Sequence, residues 1–302
     1  MPWLIVAIIA YFILAAVFLV DKYLLTSSIP NARVYAFYIG ILGMGVLIFV
    51  PFIDFYFLNP SDIFLAFVSG AAFLIGIFWF LGGLKKFETS RMVPAVGGLL
   101  PIFTILLIYL LSWGGEALAL KQILAFFMLV GGSVLITIEK SPVFSWRSMK
   151  FSIVAAFFLA VSFVSAKFVY LNYPFLLGLI WIKLGGVLFS LIFLFDADLR
   201  SSLFQKKMEV KRKTAVVFFA GQAAGAAANM LQNWSIALAP FIYVAFINAL
   251  QGVQYGFLFL LTILFSLKFP RILKEEFNRE VVIQKSAALL LLGAGLALLT
   301  LI

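Results

Sequence analysis

The chain of 302 residues contains no cysteine and no histidine, and only 11% of it is charged. Each shortage removes a class of chemistry. Without cysteine there are no disulfides and no thiolate nucleophile. Without histidine there is no Ser-His-Asp triad, no imidazole metal site and no imidazole proton relay. A soluble domain carries about 25% charged residues. Here that charge is replaced by apolar side chains, which make up 65% of the sequence, and the mean hydropathy is +1.17. Such a chain is expected to be an integral membrane protein. Neither an enzyme nor a bound cofactor or metal is expected, because no catalytic set gathers at one depth.

The net charge of +10 is the second asymmetry. In a membrane protein lysine and arginine collect in cytoplasmic connections, so the excess reads as topology and not as a nucleic-acid footprint. The expected partners are the bilayer and a small-molecule solute. The N-terminus shows neither a basic n-region nor a small-residue cleavage site, so no removable signal peptide is expected, with the first span starting at Trp3.

A bilayer-crossing helix needs roughly 17–25 apolar residues. Ten stretches qualify: 3–21, 34–53, 63–84, 93–113, 119–138, 151–171, 175–195, 214–238, 241–267 and 286–302. The sixth and seventh are split only by Asn172 to Pro174, and the eighth and ninth near Pro240, so both pairs read as tight hairpins. With this division, 19 of the 22 basic residues fall in the odd-numbered connections. The opposite side has Lys121, and Lys167 and Lys183 lie within spans. The positive-inside rule then predicts odd connections in the cytoplasm, both termini outside, and residence in the plasma (inner) membrane.

The sequence also carries an internal echo. AYFILAAVFLVDKYLL (10–25) aligns without a gap on AAFFLAVSFVSAKFVY (155–170), matching Lys22 with Lys167, and GGSVLIT (131–137) lies over GAGLALL (293–299). The first span thus resembles the sixth, and the fifth resembles the tenth. Five helices per copy is an odd number, so the second copy enters from the opposite side of the membrane. The expected fold is therefore all-α and polytopic, with ten transmembrane helices in two inverted five-helix repeats, 1–140 and 150–302. That architecture places a solute site near the midplane between the repeats.

Five-plus-five inverted helices, the junction GLKKFETSRMVPAVGGLLPIF (83–103) and Glu116 in SWGGE resemble the EamA-like branch of the drug/metabolite transporter superfamily. The resemblance spans the chain and implies solute translocation by alternating access. The second half departs from it, with Gln254 and Tyr255 near the positions of Pro101 and Phe103. Members are described with cytoplasmic termini, where the charge count predicts external ones.

Lys183 is the most informative single residue. It lies nine residues past Pro174, roughly 14 Å into its helix at about 1.5 Å per residue. A charge at that depth costs about 2.5–3.5 kcal/mol on insertion scales, which is relieved if it faces a water-filled cavity. The competing readings are a helix displaced toward the interface and a lysine buried neutral. In the eighth span Asn229, Gln232 and Asn233 follow Gln222 and Gly225 on one helical face. In the ninth, Asn248, Gln251 and Tyr255 do the same. Amides also lock helices together without any ligand, but two neighbouring stripes favour a polar cavity. The expected substrate-binding set is Lys183, Asn229, Gln232, Asn233, Asn248, Gln251 and Tyr255, with Trp79 and Thr104 from the first half. Pro94 and Pro101 are candidate hinge or gate positions.

All twelve carboxylates lie at span ends or in connections. A site with a cation and no mid-membrane acid points to an anionic, zwitterionic or neutral polar solute. The alternatives are an exporter of organic cations, which would need Asp21, Asp54 or Glu116 in the cavity, and a lipid-headgroup carrier or flippase. Small residues on the fifth and tenth spans allow a homodimer.

Overall fold

The computed structural model describes residues 1–27, 32–87, 89–113, 115, 118–138, 146–195, 212–268 and 279–301; Lys22 and Asp21 lie there without described side chains, and Glu116 lies outside. Among the described residues the chain is helical, with no strand. The helices are α1 (Pro2–Ser27), α2 (Ala32–Leu42), α3 (Pro60–Lys86), α4 (Thr89–Leu111), α5 (Leu120–Thr137), α6 (Trp146–Asn172) and α7 (Phe175–Ile192). They continue as α8 (Arg212–Leu238), α9 (Tyr243–Ala249), α10 (Gln251–Lys268) and α11 (Arg279–Thr300). Eight helical segments are long and apolar enough to cross a membrane, and Ala36–Phe52 is a shorter apolar one. The protein is thus a polytopic helical membrane protein. Each of the ten expected stretches is occupied by helix. α8 has the length of a span, but Gln222, Asn229, Gln232 and Asn233 dilute its apolar character.

Two stretches differ from unbroken α-helix. The second changes at Gly43 into a 3-10 helix that runs to Phe52 and contains Pro51. The ninth is divided at Leu250, which separates α9 from α10. Pro94 and Pro101 leave α4 helical from end to end, so neither breaks its helix; both are buried.

Connections alternate between the two ends of the bundle. At one end α3 finishes beside the start of α6, with the Lys86 ammonium 5.1 Å from the Phe151 ring centroid. At this end, too, Gln284 at the head of α11 donates to the Leu135 and Ile138 carbonyls closing α5. At the other end the Asn59 amide and the Asp62 carboxylate meet the Tyr173 hydroxyl in the α6–α7 turn at 3.2 and 2.9 Å. The Asn59 amide favours the phenolate. Partial burial and the Asp62 carboxylate outweigh it, so the Tyr173 phenol is held above its ordinary value. Ser235 at the end of α8 donates to the Trp3 carbonyl, and Gln122 at the head of α5 donates to the Tyr243 hydroxyl.

The dominant pairings are α3 with α6, α1 with α8, α5 with α11, α3 with α7, α4 with α6 and α1 with α10, and α2 also packs on α7. α6 and the α9–α10 stretch are the most buried, whereas α11 presents most of its surface outward. Small residues set several of these crossings. A Cβ on Gly70 would collide with the Ile182 carbonyl and the Gly186 amide, and one on Gly185 would come within 2.5 Å of the Phe67 Cα. α3 and α7 therefore touch backbone to backbone, the arrangement that small residues permit between membrane helices. The small residues of α5 and α11 serve the same purpose inside the chain. Gly132 lies against Leu292 and Ala288, Gly295 lies against Leu129, and only Gly293 of this set faces open space.

Candidate functional site

Lys183 projects from the middle of α7 toward α8. Its ammonium donates to the Asn229 side-chain oxygen at 2.5 Å and sits 5.3 Å from the Phe73 ring centroid. The same Asn229 oxygen also receives the Asn233 side-chain amide at 3.3 Å, and that amide reaches the Asn229 backbone carbonyl at 2.9 Å. Tyr170 on α6 in turn donates to the Asn233 oxygen at 2.9 Å. The i, i+4 spacing of Asn229 and Asn233 lets the pair stack. The cluster is donor-rich: one amide oxygen takes an ammonium and an amide together. An ammonium has three N–H donors and one is used in a hydrogen bond here, so two have no hydrogen-bond partner among the described residues.

That space is a cavity of about 40 Å³ between α2, α3, α6, α7 and α8, bounded by Gly43, Ser69, Phe73, Phe163, Lys183 and Asn229. No carboxylate lines it among the described residues. A water needs roughly 10–15 Å³ by this measure, so the cavity has room for a few waters and none for a metabolite. Lys183 itself is half-buried at the edge of this space. Gly43, where α2 turns into 3-10 helix, abuts the Lys183 stem: a Cβ there would lie 3.8 Å from Cδ. The Ser69 hydroxyl donates to the Ser162 carbonyl at 2.9 Å and fixes α3 on α6 behind the cavity.

The other expected site residues form neighbouring groups. Gln232 donates to the Tyr11 hydroxyl at 3.2 Å, and Tyr11 donates to the Ile247 carbonyl at 2.7 Å, so α1 bridges α8 and α9. Asn248 is fully buried and donates to the Thr104 hydroxyl at 2.9 Å, which donates to the Leu100 carbonyl at 2.8 Å. The Asn248 and Gln251 side-chain oxygens have no hydrogen-bond partner among the described residues. Tyr255 is buried against Gly97, and Gln251 lies nearby. Lys183, Asn229 and Asn233 thus share the cavity, Gln232 is one turn away, and Asn248, Thr104, Gln251 and Tyr255 lie along α4, α9 and α10. Trp79 is elsewhere: its ring packs at a tilt on Phe151, with centroids 4.9 Å apart, at the basic end of the bundle.

Sequence reasoning missed Tyr11, Tyr170 and Phe73. A tyrosine in an apolar span reads as an interface anchor, and nothing local separates an anchor from a partner on a distant helix. Among carboxylates, Asp54 is exposed and Asp62 is tied to Tyr173 at the helix end, away from the cavity.

The sequence matches no protein-family model and no curated protein. By structure it is similar to a solved chain described only as "Crystal structure of protein", with a TM-score of 0.65 at 16% identity, covering 98% of this chain and 94% of that one. This likeness concerns the fold alone.

Proposed function

We propose that the protein is a secondary transporter of the EamA-like drug/metabolite type, which moves a small anionic, zwitterionic or neutral polar metabolite across the plasma membrane by alternating access. The observation that carries this reading is Lys183: a mid-helix ammonium with two donors to spare, in a cavity that no described carboxylate lines. A cation kept there without a counter-ion is costly, and a solute carboxylate or phosphate would offset that cost with charge-assisted hydrogen bonds. The amides of Asn229 and Asn233 are suited to hydroxyl or carbonyl groups of the same solute.

The ten-helix inverted repeat belongs to this proposal. The packing supports it: exchanging first-half helices for their second-half counterparts turns the α3–α6 pair into α8–α1 and α4–α6 into α10–α1, while α5–α11 and α2–α7 map onto themselves. The Lys183 cavity lies between helices of both halves, as expected for a transporter of this build. The cavity is too small for a metabolite, so binding requires the helices around it to separate, as alternating access does. The 3-10 segment beside Lys183 and the interruption at Leu250 are the discontinuities where helices can bend.

The experiment is a thermal-shift screen of purified wild type and Lys183→Ala against matched anionic, zwitterionic, neutral and cationic metabolites, followed by uptake into proteoliposomes. A ligand that binds the folded protein raises its melting temperature by mass action. Stabilisation by an anion or zwitterion in the wild type, absent in the variant, supports the proposal. Equal stabilisation of both proteins by organic cations overturns it in favour of a cation exporter.

A further inference from the structure

A second concave site lies at the basic end of the bundle, between the end of α3 and the start of α6. Its volume is about 670 Å³, within the range of small-molecule sites. Lys86, Arg147 and Lys150 stand over it, and the floor is Trp79, Phe87 and Phe151. No carboxylate lines it among the described residues. On α6, Phe151 precedes the cavity-lining Phe163 by twelve residues, about 18 Å along the axis, so the groove is separate from the Lys183 cavity.

The composition of the groove is graded. The three cationic side chains are exposed, whereas Trp79, Phe87 and Phe151 are half-buried, and Ile153 continues the apolar wall with 39% of its surface exposed. The Lys86 ammonium lies over the Phe151 face, so aromatic and cationic parts form one surface. A free phosphate would use the cations and leave the aromatic floor uncovered. An organic cation would be repelled. A molecule with an anionic head and an apolar body uses both parts, and a chain that crosses a membrane meets such molecules at this depth. Basic pockets between helices at the cytoplasmic surface are suited to phosphate headgroups.

We propose that the α3–α6 groove is a binding site for an anionic phospholipid, with the phosphate between Lys86, Arg147 and Lys150 and the glycerol and first acyl methylenes against Trp79 and Phe151. The arrangement ties lipid to the α3–α6 pair, the most extensive helix pairing in the chain. The inference rests on the membrane-spanning fold and not on the transport reading.

The test uses the full chain in neutral detergent, wild type and Lys86→Gln/Arg147→Gln/Lys150→Gln, titrated with short-chain phosphatidylglycerol, short-chain phosphatidylcholine or inorganic phosphate. Thermal shift and native mass spectrometry give the readout. The triple variant keeps sixteen of the nineteen basic residues in the odd connections, so its insertion bias survives, and all three side chains are exposed. The expected result is stabilisation and retained mass with phosphatidylglycerol only, weakened about fivefold per cation removed and on the order of 100-fold in the triple variant. Lys121→Gln, at the opposite end, should leave it unchanged. Equal effects of phosphatidylglycerol and phosphatidylcholine, or equal binding by wild type and triple variant, overturn the proposal. Stabilisation by inorganic phosphate as strong as by phosphatidylglycerol overturns the lipid and makes the groove a soluble-anion site. Each result is read without a transported solute, so it stands apart from the fate of the Lys183 reading.

Discussion

Lys167 and Lys183 sit on successive helices of one hairpin, and both would be expensive in a bilayer. Their surroundings differ. Lys167 is 3% exposed and donates to two backbone carbonyls, Ala237 at 3.0 Å and Ala239 at 2.6 Å. Those carbonyls end α8 and begin the turn at Pro240, where a helix presents its negative dipole end and its orphan acceptors. The ammonium is consumed by the fold. Lys183 has one amide oxygen, an aromatic face and a cavity. Lys167 caps helix-end carbonyls and keeps one N–H spare; Lys183 keeps two and borders a cavity, which is why the proposal puts the solute there. Burial separates them in the same direction: Lys167 is buried, whereas Lys183 is half-buried.

The comparison can be broken most directly by exchanging each lysine for a methionine of similar length. Lys183→Met should lower proteoliposome uptake of the responsive solute by about 100-fold, on the scale of one or two charge-assisted hydrogen bonds, with thermal stability unchanged or raised. Lys167→Met should do the reverse: it strands two acceptors, costs about 3 kcal/mol, and should show as a lower melting temperature with substrate preference intact. If the two variants exchange these phenotypes, the assignment of cap and site is wrong. Asn229→Asp would set a carboxylate against the Lys183 ammonium. Anion affinity should then fall roughly tenfold or more in binding assays, and the protein should remain folded. Gly70→Ala forces α3 off α7 beside the cavity and should cost about 1–3 kcal/mol by thermal melt; Gly45→Ala, in open space, should cost almost nothing. Tyr11→Phe removes the hydrogen bonds to the Ile247 carbonyl and from the Gln232 amide, should cost about 1–2 kcal/mol by thermal melt, and leaves Lys183 untouched.

Much of this was legible in the chain. Apolar run lengths located each helical stretch, because hydropathy in a bilayer is a strong signal, while polar turns at the ends carry several helices further, as at Arg279 and Trp146. The Lys183 and Asn229 pairing was legible as membership of one polar set. Its geometry was not, since the seat of α7 depends on Gly70 of α3 meeting Gly185 and Gly186 of α7, residues far apart in the sequence. Lys167 looked like a repeat marker in sequence, because the carbonyls it caps have no side-chain signature. Trp79 was expected at the solute site, yet it lines the basic groove, because helical position alone does not tell which neighbour a tryptophan meets. The change of helix type at Gly43 carried no signal in composition at all.

That change has a mechanical side. A 3-10 helix rises about 2.0 Å per residue at three residues per turn, against about 1.5 Å and 3.6 for an α-helix. Over the ten residues from Gly43 to Phe52, return to α geometry would draw the far end in by about 5 Å, close to one α-helical turn, and rotate it by roughly half a revolution. The segment starts against the Lys183 stem and ends in the stretch leading to Tyr56, whose carbonyl accepts from the Trp181 indole at 3.2 Å. It is a stretched coil with one end at the lysine and the other at the mouth of the bundle, and its recoil would change both at once.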